Sequence, residues 1–227
     1  MSSRQNARVP VFKAEYGPTL PRLLAPRPLA VRLAAAVLAV VILVGAVVIA
    51  LTTRPEENAI LVREPVTFNL IHGGQWDRVD RSGALVALRN TGAGGLFLDS
   101  YTIRDLALPP YRGVAGGMLP IYSIGYVREI RSRYQDFEFV SEGRARLNNA
   151  IGYEVTFRAR TGSRRLYGRH YLLVEEEPDG LRRGVVIELE STPAAGTPSA
   201  IDIGNHGALK TPLRSFRFGE DREGGTA

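Results

Sequence analysis

Three histidines, His72, His170 and His206, are the only imidazoles in the chain, and cysteine is absent. Without a thiol there is no cysteine-based zinc site, no thiol nucleophile, no disulfide framework and no lipidated cysteine. A metal centre needs His, Asp or Glu clustered at ligand spacing, and no histidine has a second one within four residues. Tyr122-Ser123-Ile124-Gly125 lacks the first glycine of a G-x-S-x-G nucleophile elbow. No G-x-x-x-x-G-K-[ST] run is present, and the glycine-rich stretch 92–95 does not lead into a helical pattern, so no phosphate cradle and no cofactor are expected. Glu175-Glu176-Glu177 before Pro178-Asp179-Gly180 reads as a solvated strand end rather than a carboxylate pair for acid–base work.

Arginine and tyrosine are the chemistry-bearing types that do recur, in GYEVTFRARTGSRRLYGRHYLLV. With Gly162-Ser163 as a two-residue hairpin turn, Arg160 opposes Arg165, Arg158 opposes Tyr167, Thr156 opposes Arg169 and Glu154 opposes Tyr171. Side chains alternate across a sheet, so all of these share one side. Directly opposed arginines repel one another, and an anion between them relieves that repulsion. Arg158, Arg160, Arg165, Arg169, Tyr167 and Tyr171 therefore form a candidate anion-binding face for lipid headgroups or an acidic wall polymer. The plainer and commoner arrangement is a solvated face neutralised by Glu154 and Glu188. An alternative of a different class is a membrane-tethered hydrolase assembled from dispersed residues such as His72, Ser123 and His170. A structural, oligomer-forming role is a third.

The elements that must carry these residues follow from periodicity. Val66, Phe68 and Leu70 alternate with Thr67 and Asn69, the pattern of a half-buried strand. His72-Gly73-Gly74 then turns the chain toward Trp76, expected to be a core anchor at one end of a sheet. Further strands are expected at 85–89 and 96–103, followed by an irregular loop through Pro109-Pro110 to Gly116-Gly117. A helix is predicted from Pro120, a good first-turn residue, to about Tyr134. Its apolar stripe would be Ile121, Ile124, Val127, Ile130 and Tyr134, with Arg128, Glu129, Arg131 and Arg133 opposite. Strands recur at 137–146, around Tyr153, Val155 and Phe157, at 164–175, and at Val185, Ile187 and Leu189. The fold class is α+β: a mainly antiparallel sheet of about seven strands with one main helix packed on it.

Ahead of this lies LAAAVLAVVILVGAVVIAL, residues 33–51, uncharged and free of proline. Its length matches the ~20 residues that an α-helix needs to cross a bilayer, so one N-terminal transmembrane helix is expected. The leader before it is too long, and the apolar run too long, for a cleaved secretory signal; a retained signal-anchor is the reading. Residues 1–32 hold six basic residues against one acidic, a net of +5 within the +6 of the whole chain. The remainder is nearly neutral, which argues against a nucleic-acid partner. Basic residues before the span, with Glu56 and Glu57 beyond it, place the N-terminus in the cytoplasm and the domain outside. The expected organisation is a Pro/Arg-rich disordered cytoplasmic tail over 1–32, the span over 33–51, a linker over 52–58, an extracytoplasmic domain over 59–219 and a disordered end over 220–227. Pro18-Thr19-Leu20-Pro21 matches a PxxP docking pattern, although basic residues resting on anionic headgroups account for the tail as well.

The order of these segments resembles a known family. A first strand running to a turn and Trp (VTFNLIHGGQW), a strand pair, a helix, a meander with GYEVTFRAR and LYGRHYLLV, and a closing LKTPLRSFRFG are similar to the PsbP-like, oxygen-evolving-enhancer-type domain. The resemblance spans roughly residues 59–219. It implies an α/β/α sandwich of the kind found in many bacterial cell-envelope proteins, and a non-enzymatic binding or assembly-accessory role. Its implied partners are the lipid bilayer, an envelope protein or an anionic envelope polymer. Gly204, Gly207 and Pro212 argue against a long final helix in the closing segment.

Overall fold

The computed structural model describes residues 28–52, 57–109, 111, 113–148, 150–176 and 182–220. The PxxP segment, the Pro178-Asp179-Gly180 turn and the last seven residues lie outside them. The chain divides into two compact units, 1–54 and 55–227.

In the first unit the apolar run forms one continuous helix, α1 (Leu29–Thr52), of 24 residues. At 1.5 Å per residue it is about 36 Å long. Val37, Leu38, Val40, Val41, Ile42 and Leu43 are all exposed. The described side chains of this helix end at Gly45, and among the described residues no helix is long and apolar enough to cross a membrane; the backbone helix itself continues to Thr52.

The second unit is α+β. Its strands are β1 (Glu57–Val62), β2 (Phe68–Gly73), β3 (Asp77–Arg78), β4 (Ala84–Thr91), β5 (Phe97–Asp105), β6 (Gln135–Leu147), β7 (Ala150–Thr161), β8 (Arg164–Glu176), β9 (Arg182–Ser191) and β10 (Arg217–Phe218). Its helices are α2 (Ala115–Arg133) and the six-residue α3 (Lys210–Ser215). Seven strands form an antiparallel sheet in the order β3-β4-β5-β9-β8-β7-β6, and β1-β2-β10 form a separate three-stranded sheet. The number of strands in the main sheet is as expected, but its membership differs. The strand predicted at 66–70 lies as β2 in the small sheet, and the two-residue β3 takes a place at the edge of the large one. Alternation identifies a strand and its faces, whereas pairing partners are set by contacts distant in sequence.

The large sheet is covered on both faces. On one, Tyr101, Ile103, Tyr171, Leu173, Ile187 and Leu189 pack against Phe68 and Leu70 of the small sheet, Trp76, and the closing residues Ile203, Leu209, Leu213 and Phe216. On the other, Val155, Phe157, Leu172 and Val186 meet Leu119, Tyr126 and Ile130 of α2. The second outer layer is thus a small sheet plus a short helix, not the long helix that an α/β/α sandwich would place there. Pro212 enters α3 in its first turn, where its missing N–H is tolerated.

Helix α2 starts five residues before Pro120, and the predicted stripe holds at Val127, Ile130 and Tyr134, which pack on the core, but not at Ile121 and Ile124. Leu119, Ser123, Tyr126 and Ile130 are buried, whereas Ile121 is 64% and Ile124 62% exposed. Both sets have helical spacing. The true face carries a serine hydroxyl and a tyrosine ring, which an apolar-stripe argument passes over.

Candidate functional site

The β7–β8 hairpin has the register that the sequence predicts: Arg160 opposite Arg165, Arg158 opposite Tyr167, Thr156 opposite Arg169 and Glu154 opposite Tyr171. The turn is two residues long, with Gly162 at φ 61°, a conformation glycine adopts without strain. Covering residues then split the six predicted side chains into two groups. Arg169 donates to Glu154 Oε2 at 3.1 and 2.7 Å and to the carbonyls of Ile201 and Ile203 at 3.2 and 3.1 Å. Its guanidinium also sits 5.2 Å from the Tyr171 ring centroid. Tyr171 is buried, and burial pushes its hydroxyl pKa up. This half of the predicted face is therefore closed by the chain around Ile201, because alternation shows which side chains share a side but not what packs over them.

Arg158, Arg160, Arg165 and Tyr167, nearer the turn, remain accessible and line an open hollow of about 630 Å³ together with Asp136 and Glu138. Strand β6 is irregular here, with shifts in register after Gln135 and Phe139, and Asp136 has φ 49°. These irregularities set Asp136 and Glu138 beside the hairpin. Arg158 lies 3.5 Å from Glu138 and Arg160 3.7 Å from Asp136, so two of the candidate arginines already have acidic partners. Glu188, one of the two acids expected to neutralise this face, belongs to the opposite face; in β9 it shares the side of Val186 rather than that of Ile187 and Leu189.

Around the turn, on the α2 side of the sheet, a groove of about 310 Å³ is lined by Arg89, Arg164 and Arg165, with Phe97, Thr161 and Glu190. Arg89 stacks 5.5 Å from the Phe97 ring centroid. None of these three arginines has an acidic partner among the described residues. Arg165 faces both hollows, and Arg89 and Arg164 are additions that sequence reasoning missed. Arg164 was visible as the residue after the turn but falls on the other side of the hairpin. Arg89 reaches the groove only because β4, β5, β9 and β8 are neighbours in the sheet.

Beneath α2 lies a second polar constellation, which is buried. Glu188 accepts from Arg104 Nε at 3.2 Å and Arg133 Nη1 at 3.0 Å. Glu190 accepts from Ser100 Oγ at 2.9 Å and from the Tyr134 hydroxyl. The Tyr126 hydroxyl meets His170 Nδ1 at 2.8 Å, and the Phe157 ring lies edge-on to the imidazole. Burial lowers the His170 pKa and outweighs the nearby Glu188 and Glu190. Burial would raise Glu188, but His170, Arg104 and Arg133 together hold it below the usual carboxylate range. At neutral pH the imidazole is uncharged, so the arginines carry that effect. Tyr126 and Tyr134 are both pushed up, chiefly by burial. These are residue types suited to proton transfer, yet almost every polar atom is held by an internal partner. Their evident effect is to pin α2 and its C-terminal Arg133 to the sheet.

The dispersed residues of the hydrolase alternative have separate partners. His72 Nδ1 contacts the Gly73 carbonyl at 3.0 Å, Ser123 donates to the Pro120 carbonyl at 2.8 Å and to Glu142 at 3.2 Å, and His170 engages Tyr126. No hydrogen bond joins any two of them among the described residues. Nor do the described residues contain a group of three or more His, Asp or Glu placed to hold a metal ion.

No family model matches the chain, and no curated protein matches it. Solved structures do. The chain is similar to cyanobacterial PsbP (CyanoP) from Synechocystis sp. PCC 6803, at 11% identity and a TM-score of 0.49, covering 73% of this chain and 94% of that one. It is similar to LpqN, involved in cell envelope biogenesis of Mycobacterium tuberculosis, at 10% identity and a TM-score of 0.47, covering 74% and 94%. A protein of unknown function from Pseudomonas aeruginosa, PA94, follows at 15% identity and a TM-score of 0.36, covering 61% and 85%. At these identities and scores the likeness is one of backbone arrangement and assigns this chain neither ligand nor role.

Proposed function

We propose that this chain is a single-pass, membrane-anchored accessory domain of a bacterial cell envelope, non-enzymatic, which binds an anionic envelope polymer at the turn end of the β7–β8 hairpin. The anchor is α1, uncharged over residues 33–51 and of spanning length. The basic residues before it orient the N-terminus to the cytoplasm and the PsbP-like domain to the outside. The observation that carries the binding reading is the convergence of Arg89, Arg164 and Arg165 on one groove without an acidic partner among the described residues. Guanidinium groups present planar forks that match phosphate and carboxylate oxygens. Arg158 and Arg160 are partly neutralised by Glu138 and Asp136 and contribute less.

The test is sedimentation of the full-length protein, reconstituted in neutral nanodiscs, with a poly(glycerol phosphate) chain, and its flotation with phosphatidylglycerol vesicles. The variant carrying Arg89→Gln, Arg164→Gln and Arg165→Gln is expected to lose polymer binding by at least about tenfold, while Arg158→Gln with Arg160→Gln changes it by less than about threefold. Equal polymer binding by wild type and the triple variant would sink the proposal, and so would a response confined to vesicles.

A further inference from the structure

At the far end of β7 and β8, about 36 Å from the turn at ~3.3 Å per residue, the chain has a second concavity. The β6–β7 turn and the end of β8 meet β10 there, around a pocket of about 290 Å³. Leu147, Ala150, Ile151, Val174 and Phe218 supply an apolar wall, and Arg217 supplies a cation. Arg217 Nη1 is buried and has no hydrogen-bond partner among the described residues. Asn148 also lines the pocket, but its amide is spent on the carbonyls of Arg214, at 3.1 Å, and Phe216. A guanidinium nitrogen withdrawn from water without an acceptor is unfavourable, more so than a neutral donor in the same position. Among the described residues Arg217 forms no salt bridge that would relieve it.

We infer that this pocket binds a small monocarboxylate with an apolar tail, of the fatty-acid type, the carboxylate accepting from Arg217 Nη1 and the tail lying along Leu147, Ala150, Ile151 and Val174. A planar carboxylate suits the guanidinium fork. Glu175 on the same lining adds negative charge, which disfavours a dianion such as a phosphate monoester more than a monocarboxylate. The volume is at the small end of ligand pockets, which limits the tail to a short or medium chain. Ile151 is 39% exposed and forms the mouth. The pocket shares no lining residue with the arginine groove at the hairpin turn, so either site can fail without the other.

Titration calorimetry of the full-length protein in nanodiscs with decanoate tests this, with decanol and octyl phosphate as comparison ligands. Decanoate is expected to bind at one site, and at least about tenfold more tightly than decanol or octyl phosphate. Arg217→Gln should weaken decanoate about tenfold or more, the equivalent of about 1.4 kcal/mol, and leave decanol unchanged. Ile151→Glu, at the exposed mouth, should repel the carboxylate and lower decanoate affinity to a similar degree without unfolding the domain. Absence of decanoate binding at millimolar concentration overturns the assignment. So does unchanged decanoate affinity in both variants, or octyl phosphate binding as tightly as decanoate.

Discussion

Glu188 is 1% exposed, yet it lies between two arginines, Arg104 and Arg133, from two different elements. Removing Glu188 leaves Arg104 and Arg133, which are 23% and 36% exposed, with Arg133 still paired to Glu129, so the loss is about 2 kcal/mol, below that of a fully buried pair. Glu188→Gln is therefore expected to lower unfolding stability by that order, read from urea denaturation at pH 7.5; a change below about 1 kcal/mol would show that the arginines find water instead. The pH dependence has a definite sign. The Glu188 pKa is depressed in the folded state, so its contribution is full above the unfolded value near 4.5 and is lost as pH falls through the folded pKa. His170 is held neutral by burial, with its pKa below the ordinary 6.5. The unfolded chain takes up that proton first, so stability falls as pH drops from about 6.5 toward the folded pKa. Urea midpoints at pH 7.5, 6 and 5 should decline for the wild type, and the decline should flatten in His170→Gln. An identical slope in both would remove His170 as its source. Little of this constellation was legible beforehand: Glu188 and Glu190 alternate with Ile187 and Leu189, but which side α2 would cover is not written in that alternation.

Helix α2 shows how far periodicity reaches at the scale of an element. It announced a helix with a stripe of three- and four-residue spacing, and the structure has one, turned toward Leu119, Ser123, Tyr126 and Ile130. Ile130→Ala or Leu119→Ala should lower stability by about 2–5 kcal/mol, whereas Ile121→Ala or Ile124→Ala should stay within about 0.5 kcal/mol. Denaturant titration distinguishes the two faces through Leu119, which lies only on the observed one, and Ile121 and Ile124, which lie only on the predicted one; a larger loss at Ile121 or Ile124 than at Leu119 would return the helix to the predicted face. On β8, Gly168 lies under the Phe157 ring, and an added Cβ would come 2.1 Å from it. That ring is fixed by Tyr134 and Phe137, at centroid distances of 5.1 and 5.0 Å. Gly168→Ala should therefore be destabilising by about 1–3 kcal/mol through overpacking, and a neutral outcome in the same assay would show that the aromatic cluster can shift.

For the whole molecule, the absence of cysteine makes the proposed topology directly testable. Single substitutions Ser2→Cys and Ser163→Cys, the second at the exposed hairpin turn, give reporters at either end. In intact cells a membrane-impermeant maleimide is expected to label Ser163→Cys and not Ser2→Cys; labelling of the N-terminal site alone would invert the orientation. The division of the chain at residue 54 predicts that a fragment beginning at Pro55 is soluble and unfolds in one cooperative transition. Aggregation of that fragment, or two resolved transitions, would contradict it.

By itself the sequence determined what local chemistry can determine. An uncharged apolar run becomes a helix, a Gly-Ser turn fixes a hairpin register residue by residue, and alternation marks strands, because each depends on neighbours a few positions apart. Tertiary structure alone decided what lies over each face. It buried Arg169 and Tyr171 under the closing segment, moved the first predicted strand into a second sheet, and gathered Arg89, Arg164 and Arg165 from strands distant in sequence. Those outcomes depend on which elements pack together, and packing energy is shared among residues that no local pattern connects.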